Sequence, residues 1–156
     1  MTLNDLFQAA REGNLVFIQK GIAQHPEWLH TKDDRGFPLL VLAAYYNQLG
    51  VVEWLIENGA DPNATDKMGN TALMGTCFKG FTKLAELLIE KGTHINHRNA
   101  EGATALIYAA TFGQTAIAQL LLAKGADASL TDHAGNTALQ QARIQANQTL
   151  MDILST

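Results

Sequence analysis

The sequence is poor in several features that small proteins often depend on. Its 156 residues include one cysteine, three prolines and two tryptophans, and only 17% are charged. A single thiol, Cys77, forms no internal disulfide, which points to a reducing, cytoplasmic compartment. No apolar run approaches the roughly 20 residues that a bilayer span requires. The opening Met1-Thr2-Leu3-Asn4-Asp5-Leu6-Phe7-Gln8 has neither the basic n-region nor the apolar h-region of a secretion signal. There is no excess of positive charge either. A net charge of −4 lacks the long-range attraction to phosphate used by most nucleic-acid and anionic-membrane binders, so neither class of partner is expected.

What is present is apolar and periodic. With 47% hydrophobic residues the chain can bury a core and is not intrinsically disordered. Its glycines fall at a fixed interval. Gly36, Gly69, Gly102 and Gly135 are each 33 residues apart, as are Gly59, Gly92 and Gly125, and Gly80 and Gly113 with Asn47 one period earlier. The apolar residues keep step: Leu40, Leu73, Leu106 and Leu139 form one series, and Leu55, Leu88, Leu121 and Leu154 another. A period of this size marks a repeat array, in which stability comes from neighbouring units.

One period has a local physical reading. Thr71-Ala72-Leu73 opens a helix, because the Thr71 hydroxyl can cap an orphan N–H while Leu73, Thr76 and Cys77 follow at helical spacing. Gly80 ends it after about nine residues, since a glycine just past the last turn adopts the left-handed conformation freely. A second helix carries Leu84, Ala85, Leu87, Leu88 and Ile89 and ends at Gly92. Asn99 and Gly102 then occupy the first and fourth positions of a type I turn. Each unit is therefore helix, turn, helix and projecting hairpin loop.

These features together resemble the ankyrin repeat. The first-helix motif appears as Asp66-Lys67-Met68-Gly69-Asn70-Thr71-Ala72-Leu73, and the second as Leu55-Ile56-Glu57-Asn58-Gly59-Ala60-Asp61-Pro62-Asn63. The resemblance covers essentially the whole chain and implies an all-α repeat solenoid forming one domain, residues 1–156, with approximate units 1–32, 33–65, 66–98, 99–131 and 132–156. The Thr-Pro-Leu-His box of the family is reduced to Thr-Ala-Leu in three units, and Pro38 takes the threonine slot in another, so helix starts are expected to be somewhat weak. The first unit fits with a one-residue offset, Ile22 to Trp28 replacing its Gly-Ala-Asp turn. The last is polar at Gln140, Gln141, Arg143, Gln145 and Ser155. Both ends read as caps, and the array as a complete one of five units.

No residue pattern supports catalysis. Cys77 occupies a packed alanine slot, without the base or electropositive setting that a nucleophile needs. His94 and His97 form His-x-x-His, with His133 on the next hairpin, which leaves a small-ligand or metal-binding protein as the rival reading. Every glycine is explained by a turn or cap, so a phosphate-cradling loop is not indicated. No cofactor is expected.

The resemblance also implies where a protein partner would bind: at the hairpin tips and at two variable positions near the end of each first helix, which line a concave groove. The helix positions are Tyr45 and Tyr46, Phe78 and Lys79, and Thr111 and Phe112. The tips are Lys32, Asp34, Arg35 and Phe37; Thr65, Lys67, Met68 and Asn70; Arg98, Ala100, Glu101 and Ala103; and Thr131, His133, Ala134 and Asn136. Aromatics and methionine are enriched in interface cores. The stripe Tyr45, Tyr46, Phe78 and Phe112, flanked by Lys67, Lys79 and Arg98, suits a partner with an acidic and partly apolar surface. Alternatively, some of these rings pack between units. Trp28 and Trp54 read as structural. The expected function is that of a monomeric, non-enzymatic interaction module, acting as an adaptor or as a steric inhibitor.

Overall fold

A computed structural model describes residues 1–156 as ten α-helices in five pairs, with no β-strand. The pairs are α1 (Leu3–Glu12) with α2 (Leu15–Gln24), α3 (Leu39–Tyr45) with α4 (Leu49–Glu57), α5 (Ala72–Lys79) with α6 (Thr82–Glu90), α7 (Ala105–Thr111) with α8 (Thr115–Ala123), and α9 (Ala138–Ile144) with α10 (Gln148–Leu154). After α2 a short 3₁₀ helix, Pro26–His30, takes the place of the loop that follows later second helices. None of these helices is long and apolar enough to cross a membrane.

The helices start and stop where local chemistry directs. Thr71, Thr104 and Thr137 each cap their helix by accepting from the N–H three residues on, that of Met74, Ile107 or Gln140. Pro38 occupies the same position before α3 and has no side-chain cap to offer. Among the first helices α3 alone therefore lacks a side-chain cap, and Leu39 through Ala44 within it are all buried. At the far end Gly80 has φ +80° and Asn47 φ +56°, the left-handed conformation that closes α5 and redirects the chain after α3.

Between pairs, one hairpin geometry recurs. Asp33, Asp66, Asn99 and Asp132 each accept, through one side-chain oxygen, the N–H groups two and four residues ahead at 2.9–3.0 Å. The glycine at the fourth position donates back to the carbonyl of the same residue at 2.9–3.0 Å. Consecutive hairpins are joined as well. Ala100 N–H donates to the Met68 carbonyl and His133 N–H to that of Glu101, each at 2.9 Å. On the loops after the second helices, Asn63 Oδ1 accepts from His94 N–H (2.7 Å) and Asn96 Oδ1 from Asp127 N–H (2.9 Å).

The first helices α1, α3, α5, α7 and α9 pack side by side as an inner layer, more closely than α2, α4, α6, α8 and α10 approach one another in the outer layer. This difference curves the stack so that the ends of the inner helices and the hairpins share its concave side. A single cluster of 36 buried apolar residues runs between the layers from Leu6 to Leu154. Cys77 lies within it. Burial pushes its thiol up to about 12, so it is protonated at neutral pH and unsuited to nucleophilic chemistry.

Two predictions follow from this packing. Thr104→Ala removes a buried cap and should cost about 1 kcal/mol in urea denaturation, with the slope of the transition unchanged. Because the thiol titrates at a higher pH in the folded chain than in the unfolded one, Cys77 supports stability fully below about pH 9. That support is lost as pH rises toward 12. Wild type should therefore lose stability more steeply than Cys77→Ala across this alkaline window, measured by denaturation at stepped pH.

Candidate functional site

The concave side brings together most of the aromatic positions expected from the sequence. Tyr46, Phe78 and Phe112 remain 50%, 47% and 41% exposed, and Met68 is 50% exposed on its hairpin. Phe78 and Phe112 meet edge to face with centroids 4.9 Å apart, and Phe112 meets Tyr108 in the same way at 5.7 Å. Lys79 Nζ lies 5.6 Å from the Phe78 centroid, and the Arg35 guanidinium 5.2 Å from that of Phe37. The patch is therefore aromatic at its centre and cationic at one edge.

Tyr45 behaves differently from its neighbours. It is half-buried, packed edge to face on Phe37 at 5.7 Å and lying beside Gly75 of the next unit. For this ring, packing between units is the role observed. Burial, with Asp66 nearby, raises its hydroxyl above the ordinary range for tyrosine.

The remaining expected residues divide by what holds them. Arg98 is spent within the fold: its Nε donates to the Gly102 carbonyl (3.1 Å) and its Nη2 to the Thr131 carbonyl. Lys32, two periods earlier, reaches the Thr65 carbonyl (3.1 Å) in the same manner. Thr111 Oγ1 donates back to the Ile107 carbonyl at 2.8 Å. The stem of Lys67 lies over Gly36 and the ring of His133 over Gly102, each covering the preceding hairpin. Glu101 is exposed at a tip, and Asn70 is half-buried where the hairpin meets the groove.

The histidines of the rival reading are not gathered into a site. The His97 ring is engaged through Nε2 with the Gly69 carbonyl at 2.8 Å, and no group of three or more histidine, cysteine or acidic side chains is placed to share a metal ion. The largest hollow, about 380 Å³, lies away from the groove between the 3₁₀ helix and the loop after α4, lined by Leu29, His30, Lys32 and Asp61 among others. His30 there occupies the slot in which Asn63 and Asn96 tie their loops to the next unit.

Three groove residues escape the family-guided reading. Tyr108 and Gly75 belong to the series Leu42, Gly75, Tyr108 and Gln141, one turn before the variable pair. The Tyr108 hydroxyl accepts from Asn99 Nδ2 at 2.7 Å, and the same amide donates to Asn70 Oδ1 at 2.9 Å. Gln141 makes the analogous bond to Asp132 at 3.3 Å. Burial, with Glu101 nearby, also raises the Tyr108 hydroxyl. Gly75, against the expectation that every glycine belongs to a turn or cap, sits mid-helix, where glycine costs roughly 0.5–1 kcal/mol relative to alanine. Together with Tyr45, Met74, Phe78, Phe112 and Asn70, Tyr108 and Gly75 enclose a hollow of about 220 Å³. The third residue is Ile144, which extends the series Tyr45, Phe78 and Thr111 onto the last unit and is 64% exposed. The 33-residue period, carried one unit further or one turn back, is the signal that marks all three.

Helix pairs joined by periodic hairpins, with aromatic rings exposed on one side, define a helical repeat solenoid. The ankyrin-repeat family model, which describes three copies of the repeat, matches residues 6–99, 39–132 and 76–155, and this chain belongs to that family. It is similar to ankyrin repeat family A protein 2 of Mus musculus, 40% identical over 75 residues, or 48% of this chain and 24% of the relative. The human protein of that name is 39% identical over 74 residues, covering 47% and 23%. Ankyrin repeat and SAM domain-containing protein 6 of Rattus norvegicus is 34% identical over 77 residues, covering 49% and 9%. The aligned part thus spans about a quarter or less of the length of these relatives.

The double donation by Asn99 is specific to an amide, since aspartate at that position has no N–H to give. Asn99→Asp should keep its hairpin, as Asp66 and Asp132 do, and the Tyr108 hydroxyl can reverse its role and donate to the new carboxylate, but the donation to Asn70 is lost and a carboxylate faces Asn70 Oδ1. A loss of about 1–3 kcal/mol is expected in chemical denaturation, with a change in the Asn70 side-chain amide resonances reporting the lost bond. An Asn99→Asp variant as stable as wild type would show that the Asn99–Asn70 bond contributes nothing.

Proposed function

We propose that this protein is a non-enzymatic interaction module that binds a protein partner through its concave groove and hairpin tips. The observation that carries the reading is the cluster of Tyr46, Phe78 and Phe112, large rings left 41–50% exposed at the ends of inner helices whose preceding turns are buried. Scattered exposed apolar residues need no explanation, but a contiguous aromatic patch with a polar rim is the usual form of a binding surface. Ankyrin repeats generally mediate protein–protein contact, which agrees with this reading.

The action that fits such a surface is steric: the module covers part of its partner or holds it beside another protein. Lys79 and Arg35 at the rim favour an acidic partner, whereas Glu53, Glu57, Glu86 and Glu90 lie on the outer helices. This separation of charge orients an approaching acidic surface toward the groove. Phe37, Lys67, Met68, Asn70, Glu101 and His133 form the wider contact surface in this reading, and the module works as a monomer in the cytoplasm.

Affinity capture with the purified chain, followed by mass spectrometry, would supply a partner. Against that partner, replacing Tyr46, Phe78 and Phe112 together with alanine should weaken binding by more than about 2 kcal/mol in calorimetry, since buried aromatic anchors dominate interface energies. The circular dichroism spectrum should be unchanged, because these rings are half exposed. Unaltered affinity in a folded triple variant would place the interface elsewhere.

A further inference from the structure

Gly75 breaks a local rule. It stands in the middle of α5, yet no positive φ demands glycine there, and a Cβ added to it would come no closer than 3.5 Å to any atom, an ordinary contact with the Tyr45 ring. The positions one period away carry Leu42, Tyr108 and Gln141. What the missing side chain leaves is the hollow of about 220 Å³ between Tyr45 and Tyr108, with the half-exposed rings of Phe78 and Phe112 beside it. That is below the roughly 300–1,000 Å³ of pockets that enclose whole small molecules. It suits one bulky side chain of a larger partner.

A second hollow, of about 280 Å³, shares Tyr45 with the first. Its lining includes Phe37, Leu42 and Tyr46, and two cations, Arg35 and Lys79. No carboxylate approaches Lys79 within salt-bridge distance, and Arg35 has only Asp33, at 3.8 Å. Both charges are exposed and therefore available to an incoming anion beside an apolar wall.

We propose that the two hollows are paired subsites for one extended segment of the partner. A bulky apolar side chain sits over Gly75, and a carboxylate side chain two residues away sits between Arg35 and Lys79. An extended chain advances about 3.3 Å per residue and alternates its faces, so residues two apart point the same way, as side chains entering two hollows that share the Tyr45 ring would have to. Gly75 is in this view a specificity-determining residue: helix stability is given up to keep the apolar subsite open. The inference rests on the groove reading above and names the chemistry that the groove selects.

A random peptide display library selected on the intact wild-type chain tests it, with synthetic versions of the selected peptides measured by fluorescence anisotropy. Peptides should emerge with aspartate or glutamate two residues from leucine, methionine, phenylalanine or tryptophan. Gly75→Ala should weaken them roughly tenfold or more, since one methylene in a filled site is strongly felt, while its melting temperature stays the same or rises. The double variant Arg35→Glu, Lys79→Glu should select lysine or arginine in place of the acid. Peptides that depend on Phe78 and Phe112 but lack the acidic residue, or that bind Gly75→Ala as well as wild type, would overturn the paired subsites and leave the groove reading standing. Peptides indifferent to Phe78→Ala and Phe112→Ala would overturn both. Failure to select any peptide would overturn an extended occupant.

Discussion

Everything in this molecule depends on stacking. Helices of seven to ten residues are too short to persist alone, because the cost of nucleation is not recovered over two turns. A single helix pair also leaves one apolar face uncovered. Only when α5 lies against both α3 and α7 are Leu73, Met74 and Cys77 removed from water on all sides. Burial is therefore a property of neighbours, and the core is a lengthwise seam instead of a centre. The 33-residue period follows from this requirement, since a unit of different length would present its apolar face out of register with the next.

The hairpins keep that register. A carboxylate or amide at the first turn position gathers two backbone N–H groups that no helix or strand would otherwise satisfy. The resulting rigid loop lets one hairpin donate to the next, as Ala100 does to Met68 and His133 to Glu101. Lys32 and Arg98 add a second tie along the same edge, each reaching the carbonyl one period ahead. A cation at the Arg98 position thus has a demand on it from within the array before any partner arrives.

The repeat, the helix pairs, the threonine caps and the left-handed glycines were legible in the sequence because each follows from a local residue choice repeated at a fixed interval. The groove was legible only in part. Tyr46, Phe78 and Phe112 stood out as large rings at variable positions, but nothing in a linear reading separates them from Tyr45, whose ring is held by Phe37 and Gly75 from two different units. Tyr108 was hidden for a related reason. Its role arises from a bond to Asn99, nine residues back, and from its position facing Gly75 across a unit boundary. Ile144 was passed over because its unit is polar overall, although it stands in the same series as Phe78.

The departures from local consistency concentrate in one place. A mid-helix glycine, an asparagine where the equivalent turns use aspartate, a half-buried tyrosine hydroxyl and three exposed aromatic rings all lie on the concave side of the middle units. Sequences that specify a fold tend to agree with it at every level, and the exceptions cluster where function imposes a competing demand. The back of the array offers a contrast. There Lys91 meets Glu57 at 3.0 Å and Glu53 at 3.9 Å, an exposed arrangement with no burial cost to recover. If the middle units were shaped by stability alone, alanine at position 75 would strengthen α5 without a clash and the Tyr45 ring would still have its contact. That the chain keeps glycine there, between two tyrosines, ties the cost in helix stability to the one feature glycine uniquely provides, which is open space.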